Sequence, residues 1–233
     1  MIELKHISIG YSAGNVVFSD LSAHFPAGRL IGLIGNNGVG KSTLIKTLCG
    51  YLSPLKGEYL IEQQSSDRYT IQKLSTLISI VLPEKITGFN LRAYDVVAAG
   101  RIPYINTFST LSPEDARIAE ESMETIGISA LKHKLMEELS DGQRQKVMIA
   151  KSLAQQTPVI ILDEPTAFLD YRSKHQLFDI LKKLCGEQNK LVLVSSHDLD
   201  LVFAYADRVL LLEPDHQFTF DSPSVVKPKT LLP

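Results

Sequence analysis

Only two cysteines occur in the 233 residues, Cys49 and Cys185, and they lack the spacing of metal ligands. Both fall in expected helix tails, so they read as packing residues of a chain kept in a reducing compartment. A dense basic run is missing and the formal net charge is -2. That argues against nucleic acid as the main partner, because affinity for a phosphate backbone comes from clustered Lys and Arg. No apolar run approaches the ~18 residues a membrane span needs, and no signal peptide opens the chain. The expectation is a protein that does not cross a bilayer by itself. Internal repeats and low-complexity tracts are absent too. What remains is an ordinary soluble composition, 44% hydrophobic and 21% charged, in a chain long enough for one large α/β domain or two small ones.

Five short, nearly continuous apolar runs stand out: Leu30 to Gly35, Leu77 to Leu82, Val159 to Asp163, Leu191 to His197 and Arg208 to Glu213. Runs of this kind mark strands covered on both faces in a parallel sheet. "IELKHISIGY", of mixed polarity, reads as an edge-type strand. Helical patterns lie between these runs. Lys41 to Cys49 is stopped by Gly50, and Ser112-Pro113-Glu114-Asp115 starts a helix that runs to Gly127. Another extends from Asp170 towards Cys185, with Leu177, Leu181 and Leu184 on one face and Gly186 as its stop. From about 84 to 156 no buried strand is legible, which predicts a helical subdomain inserted into an α/β core.

"GNNGVGKST", Gly35 to Thr43, follows an apolar strand and opens a helix. Its glycines let backbone N–H groups curl around phosphates, Lys41 reaches the β and γ oxygens, and the Ser42 hydroxyl suits Mg²⁺. "VIILDEP" sets Asp163 and Glu164 at a strand's C-terminal end, where ligands of open α/β sheets bind. Asp163 is expected to hold Mg²⁺ through water, and Glu164 to take a proton from an attacking water. "SSHD" brings His197 to the same rim, placed to contact the γ-phosphate. Ser140 and Gln143 form a capping box ahead of Val147, Ala150 and Ala154, and Gly142 sits in its first turn despite a helix cost of about 1 kcal/mol. The positive end of that helix is then expected to be a second anion site. One chain has one phosphate loop, so the second site needs a phosphate from elsewhere.

In the order and spacing of these motifs the chain resembles the ATP-binding cassette ATPases of membrane transporters, over nearly its whole length. "LSDGQ", Leu139 to Gln143, is similar to the family's signature sequence. The resemblance implies a P-loop NTPase (RecA-like) α/β core with an N-terminal antiparallel β subdomain, the core covering 1–83 and 157–233 and the helical subdomain about 84–156. It implies ATP and Mg²⁺ as cofactors, bound by Tyr11 on adenine, by Gly35, Asn36, Asn37, Gly38, Val39, Gly40, Lys41, Ser42 and Thr43 on the phosphates, and by Ser140, Gly142 and Gln143 of a second copy. Asp170 in "AFLD" corresponds to the acid that links the two sites of a head-to-tail dimer. "AAGRIPY", Ala98 to Tyr104, resembles the cassettes of metal-chelate importers, whose cargo is ferric siderophore, haem or cobalamin. The partners implied are integral permease subunits and, indirectly, a substrate-binding protein, with the chain on the cytoplasmic face of the plasma membrane. A soluble cassette ATPase without a permease and a P-loop small-molecule kinase are the alternatives.

Two positions depart from the family. The third signature residue, usually Gly, is Asp141, which brings negative charge near a γ-phosphate and is expected to slow or weaken closure. Where the family has Gln after the strand at 77–82, this chain has Glu84. It is either a Mg²⁺-side residue that engages when the metal is loaded or a hinge acid facing solvent. Gln63, Gln64 and Gln72 precede the strand and cannot substitute.

Overall fold

Strand alternation in this chain divides a sheet's two faces between two cores. The computed structural model describes residues 1–83, 90–105 and 110–230. Glu84, and with it the expected metal or hinge role, lies outside the described residues. Five parallel strands, β3 (Leu30–Gly35), β6 (Ile78–Val81), β7 (Val159–Asp163), β8 (Leu191–Ser195) and β9 (Arg208–Leu212), form one sheet with the antiparallel β10 (Phe218–Asp221). Their order is β10-β9-β3-β8-β7-β6. Each expected parallel strand is present.

Along β3, Ile31 and Leu33 pack into one core while Leu30 and Ile34 pack into another. The same division holds for Val159 and Ile161 against Ile160 and Leu162, and for Leu191 and Leu193 against Val192 and Val194. Both faces are covered, which is why these strands read as unbroken apolar runs. The first core is closed by α1 (Lys41–Leu48) and by a second, antiparallel sheet: β1 (Ile2–Ser12), β2 (Asn15–Phe25), β4 (Lys56–Ile61) and β5 (Gln64–Ser65). The second core is closed by α6 (Tyr171–Gln188) and α7 (Leu199–Tyr205), with Val226 of α8 (Pro223–Thr230) fully buried in it. A short helix, α2 (Ile71–Ser75), precedes β6.

Two expectations are corrected. β1 is not an edge strand: it pairs with β2 on one side and β4 on the other. Its mixed polarity comes from a sheet with one solvated face, since Ile2, Leu4, Ile7 and Ile9 are buried while Lys5 and His6 are exposed. Gly186 does not stop α6. The helix continues to Gln188, and Asn189 takes the left-handed cap at φ 53°. A Cβ at Gly186 would meet none of the described residues within 4 Å, so neither space nor a turn among them calls for glycine there.

Between β6 and β7 the described residues contain α3 (Ala93–Ala98), a 3-10 segment at Ala99–Tyr104, α4 (Pro113–Ile126) and α5 (Asp141–Ala154). They share a core of their own, with Val97, Ala119, Met123, Val147 and Ala150 at its centre. The Ser112 hydroxyl accepts from the Asp115 amide, and the Asp115 carboxylate accepts from the Ser112 amide. Gly127 closes the helix at φ 74°, as the start and stop signals imply. The "AAGRIPY" stretch is a bracket. Arg101, buried, donates to the Asp115 carboxylate (2.8 Å) and the Ala154 carbonyl (2.9 Å), and Tyr104 Oη–H donates to the Gln155 carbonyl (2.8 Å).

Candidate functional site

Three adjacent strands deliver the expected site to one rim. β3 leads into the phosphate loop, β7 into Asp163 and Glu164, and β8 into His197, and these strands neighbour one another in the sheet. Gly38 (φ 79°) and Gly40 (φ 119°) take backbone angles that side chains rarely adopt, which bends the loop back onto the start of α1. Gly40 also has Val17, Phe18 and Ile9 within 4 Å of where a Cβ would stand. The β1–β2 hairpin therefore packs against the loop's end, and it carries Tyr11, which is 59% exposed. Asn36, Asn37 and Ser42 are exposed, Gly35 and Val39 half-buried, and Thr43 turns its side chain into the fold.

Lys41 is buried, and its Nζ donates to the Gly35 carbonyl at 2.7 Å and the Asn36 carbonyl at 3.1 Å. Burial pushes its pKa down, opposed by the charges of Glu164 and Asp163. The loop's cation is thus held by the loop's own backbone, facing two carboxylates.

Ser195 ties those carboxylates together, a role sequence reasoning missed. Its hydroxyl donates to Asp163 Oδ1 at 2.5 Å and accepts from the Glu164 amide at 3.0 Å. Asp163 and Ser195 are both buried. The signal was available in "SSHD": a hydroxyl inside an otherwise apolar strand needs a buried partner. Glu164 sits at φ 49°, an uncommon angle for a non-glycine residue. One carboxylate oxygen, Oε2, accepts from the His197 amide at 3.3 Å. The other, Oε1, is buried and has no hydrogen-bond partner among the described residues, although His197 Nε2 is 3.3 Å away. An acceptor with an open lone pair at a strand end is suited to take a proton.

Ser140 caps α5 as its sequence implies, its hydroxyl accepting from the Gln143 amide (3.3 Å) while the Gln143 side chain accepts from the Ser140 amide (3.1 Å). Gly142 has a reason beyond an open helix start. A Cβ there would stand 2.8 Å from the Phe168 carbonyl, so the backbone after Glu164 rests directly on the first turn of α5. Asp170 caps α6, accepting from the Ser173 amide and hydroxyl at 2.9 and 2.8 Å, which holds its carboxyl below the usual range.

These groups do not form one pocket. Ser140, Asp141, Gly142, Gln143 and Asp170 line a cavity of about 430 Å³ that contains no residue of the phosphate loop. Gly35, Asn36, Asn37 and His197 line another, of about 460 Å³, that contains no residue of the signature. A metal fits the first strand end in kind, since the Ser42 hydroxyl and the Asp163 carboxylate are hard oxygen donors of the type Mg²⁺ takes alongside phosphate oxygens. Among the described residues no cluster of three or more His, Cys, Asp or Glu could hold a metal alone.

Comparison with known proteins bears on the same residues. Residues 18–167 match the family model described as "ABC transporter". An uncharacterized ABC transporter ATP-binding protein of Methanocaldococcus jannaschii is 36% identical over 233 residues, spanning 100% of this chain and 80% of that protein. The iron(3+)-hydroxamate import ATP-binding protein of Bacillus subtilis is 31% identical over 214 residues, spanning 91% and 78%. Among solved structures, a dimeric post-hydrolysis ATP-binding cassette bound to ADP and Pi superposes with a TM-score of 0.80 at 25% identity, covering 94% of this chain and 98% of that one. Matched along its length by sequence and by fold, the chain belongs to the ABC transporter family, as one of its ATP-binding cassette ATPases.

Proposed function

We propose that the chain is the ATP-hydrolysing subunit of a membrane importer for metal chelates, a ferric siderophore, haem or cobalamin, and that it works as a head-to-tail pair. The separation of the two half-sites carries this reading. Gly35, Asn36 and Asn37 of the phosphate loop line one cavity with His197, beside the strand end that bears Asp163 and Glu164; the capped start of α5 lines the other. Pairing two copies head to tail supplies each phosphate loop with the partner's Ser140, Gly142 and Gln143.

In this reading Tyr11 stacks on adenine and residues Gly35 to Thr43 cradle the phosphates, with Lys41 released from its loop carbonyls to the β and γ oxygens. Ser42 and Asp163 would hold Mg²⁺, which would supply neutralisation of phosphate charge. Glu164 takes the proton of the attacking water through Oε1. His197, bonded to Glu164 by its amide, keeps that carboxylate in place and meets the γ-phosphate. Asp170 couples the two sites across the pair. The chemistry is positioning more than covalent catalysis, as phosphoryl transfer requires.

Residues of about 84–156 act as the helical subdomain that receives a permease. Exposed Tyr51, Ile71 and Ile102 help line a groove of about 630 Å³ between α2, β6 and the 3-10 segment, an apolar surface of the kind a docking helix covers. No helix among the described residues is long and apolar enough to cross a membrane. A permease therefore supplies the passage in this reading, a substrate-binding protein delivers cargo to it, and the cassette sits at the cytoplasmic face. Import and chelate cargo are supported by the iron(3+)-hydroxamate relative.

The test is Glu164→Gln with ATP and Mg²⁺. The variant is expected to bind ATP, to stop hydrolysing it and to accumulate as a dimer in light scattering, returning to monomer with ADP. Rapid hydrolysis by the variant, or a monomer at saturating ATP, overturns the reading.

A further inference from the structure

Asp141 puts an acid where a phosphate is expected, and the fold shows what offsets it. An acid in the first turn suits the positive helix end but repels a phosphate. One turn on, Arg144 reaches back: its Nη2 lies 3.1 Å from Asp141 Oδ1, and its Nη1 donates to the Met136 carbonyl at 3.3 Å. Arg144 Nε is buried without a hydrogen-bond partner among the described residues, so the two contacts at the tip of the guanidinium orient it. The charge count explains the need. The residues lining the signature cavity include two acids, Asp141 and Asp170, and one base, Lys146. Their sum is -1, and Arg144, lying behind Asp141, brings it to zero. Lys146 is not free to replace it, because its Nζ donates to Ser173 at 2.9 Å.

We infer that Arg144 is a positioning residue for the nucleotide sandwich: it neutralises Asp141 and draws its carboxylate away from the Ser140 hydroxyl and the Gly142 amide. The inference rests on the reading that the start of α5 caps a phosphate held by a second copy. It alters the expectation made for Asp141 from its charge alone, since an acid with a fixed cation at its back costs the incoming phosphate little.

A double-mutant cycle in the full-length Glu164→Gln chain tests this, reading the ATP-driven monomer–dimer equilibrium by analytical ultracentrifugation at low salt. Arg144→Ala is expected to weaken dimerisation about tenfold, within the coupling range of contacting residues. Asp141→Gly alone should leave it within about threefold of the parent, and Asp141→Gly with Arg144→Ala should recover to the same level. Arg144→Gln, which keeps a donor for Met136 but not the charge, should behave like Arg144→Ala, and ATP affinity of the monomer should not move. If Arg144→Ala costs the same factor beside Gly as beside Asp at position 141, the residue acts through Met136 alone and the inference fails. If the parent itself never dimerises, the paired-site reading fails and the inference falls with it; recovery in the double variant shows coupling to Asp141, and the Arg144→Gln result assigns that coupling to charge.

Discussion

Replacing Ser195 by Ala removes a single oxygen from the centre of the candidate site, so its cost can be worked from the bonds it makes. The hydroxyl donates to a buried carboxylate, Asp163, and accepts from the Glu164 amide. The amide is not orphaned by the change, because the Ser195 carbonyl lies 3.2 Å from it. What is lost is one hydrogen bond to a charged group, about 1.5–3 kcal/mol, with no apolar cavity to add. At about 2–4 °C per kcal/mol for a chain of this size, a 2 kcal/mol loss lowers the melting temperature by about 4–8 °C. Urea unfolding should show the midpoint falling with an unchanged slope. Beside Asp163→Asn the same substitution should cost only the neutral-bond value, about 0.5–1.5 kcal/mol. A loss under about 0.5 kcal/mol, or one equal in both backgrounds, would refute the claim that Ser195 holds a charged Asp163.

Arg101→Ala should destabilise by about 1.5–3 kcal/mol in urea unfolding, since it removes a charged hydrogen bond from Asp115, which keeps only its Ser112 donors, and takes a donor from the Ala154 carbonyl; Arg101→Lys should recover little because an ammonium does not reproduce the guanidinium's fork. Gly142→Ala should be destabilising by about 1 kcal/mol although Ala is the better helix former, because the methyl meets the Phe168 carbonyl; a stabilised variant would mean that this approach relaxes freely. For Asp207, burial pushes the pKa up, but the Lys182 hydrogen bond (2.7 Å), the Leu30 amide and Arg29 outweigh it and hold the carboxyl below its ordinary value. A depressed folded pKa gives stability that is present above the unfolded value of about 3.9 and is lost as pH falls through the folded one. Asp207→Asn should accordingly lower the unfolding midpoint at pH 7 and make little difference once the pH is well below about 3.9.

Much of the fold is legible because buried parallel strands advertise themselves. β3 and β7 coincide with the runs "LIGLIG" and "VIILD", and the N-cap and Pro at Ser112-Pro113 and the capping box at Ser140 locate helix starts to the residue. The antiparallel sheet is harder to read. β1, β2, β4 and β5 mix polar and apolar residues because one face is wet; left-handed angles at His6 and Asp20 break the alternation within β1 and β2, and those at Glu62 and Gln63 turn the chain between β4 and β5. At the site the phosphate loop, Asp163, Glu164, His197 and the signature are readable from local chain chemistry. Ser195, Arg144 and the tight fit of Gly142 under Phe168 are not, because each depends on how one element lies against another.

The pairing of β7 with β8 makes that distinction concrete. In register, Asp163 stands opposite Ser195 and Leu162 opposite Val194. A slip of one residue would set Val194 beside Asp163, leave a buried carboxylate without its donor, and turn Leu162 and Ile160 from one core to the other. The apolar alternation that covers both faces therefore fixes the register, and the register in turn delivers the hydroxyl to the carboxylate. No motif written along the chain encodes that contact. It follows from burying Val192, Val194, Ile160 and Leu162 together, so the packing of the second core and the geometry of the carboxylate pair are one constraint seen from two sides.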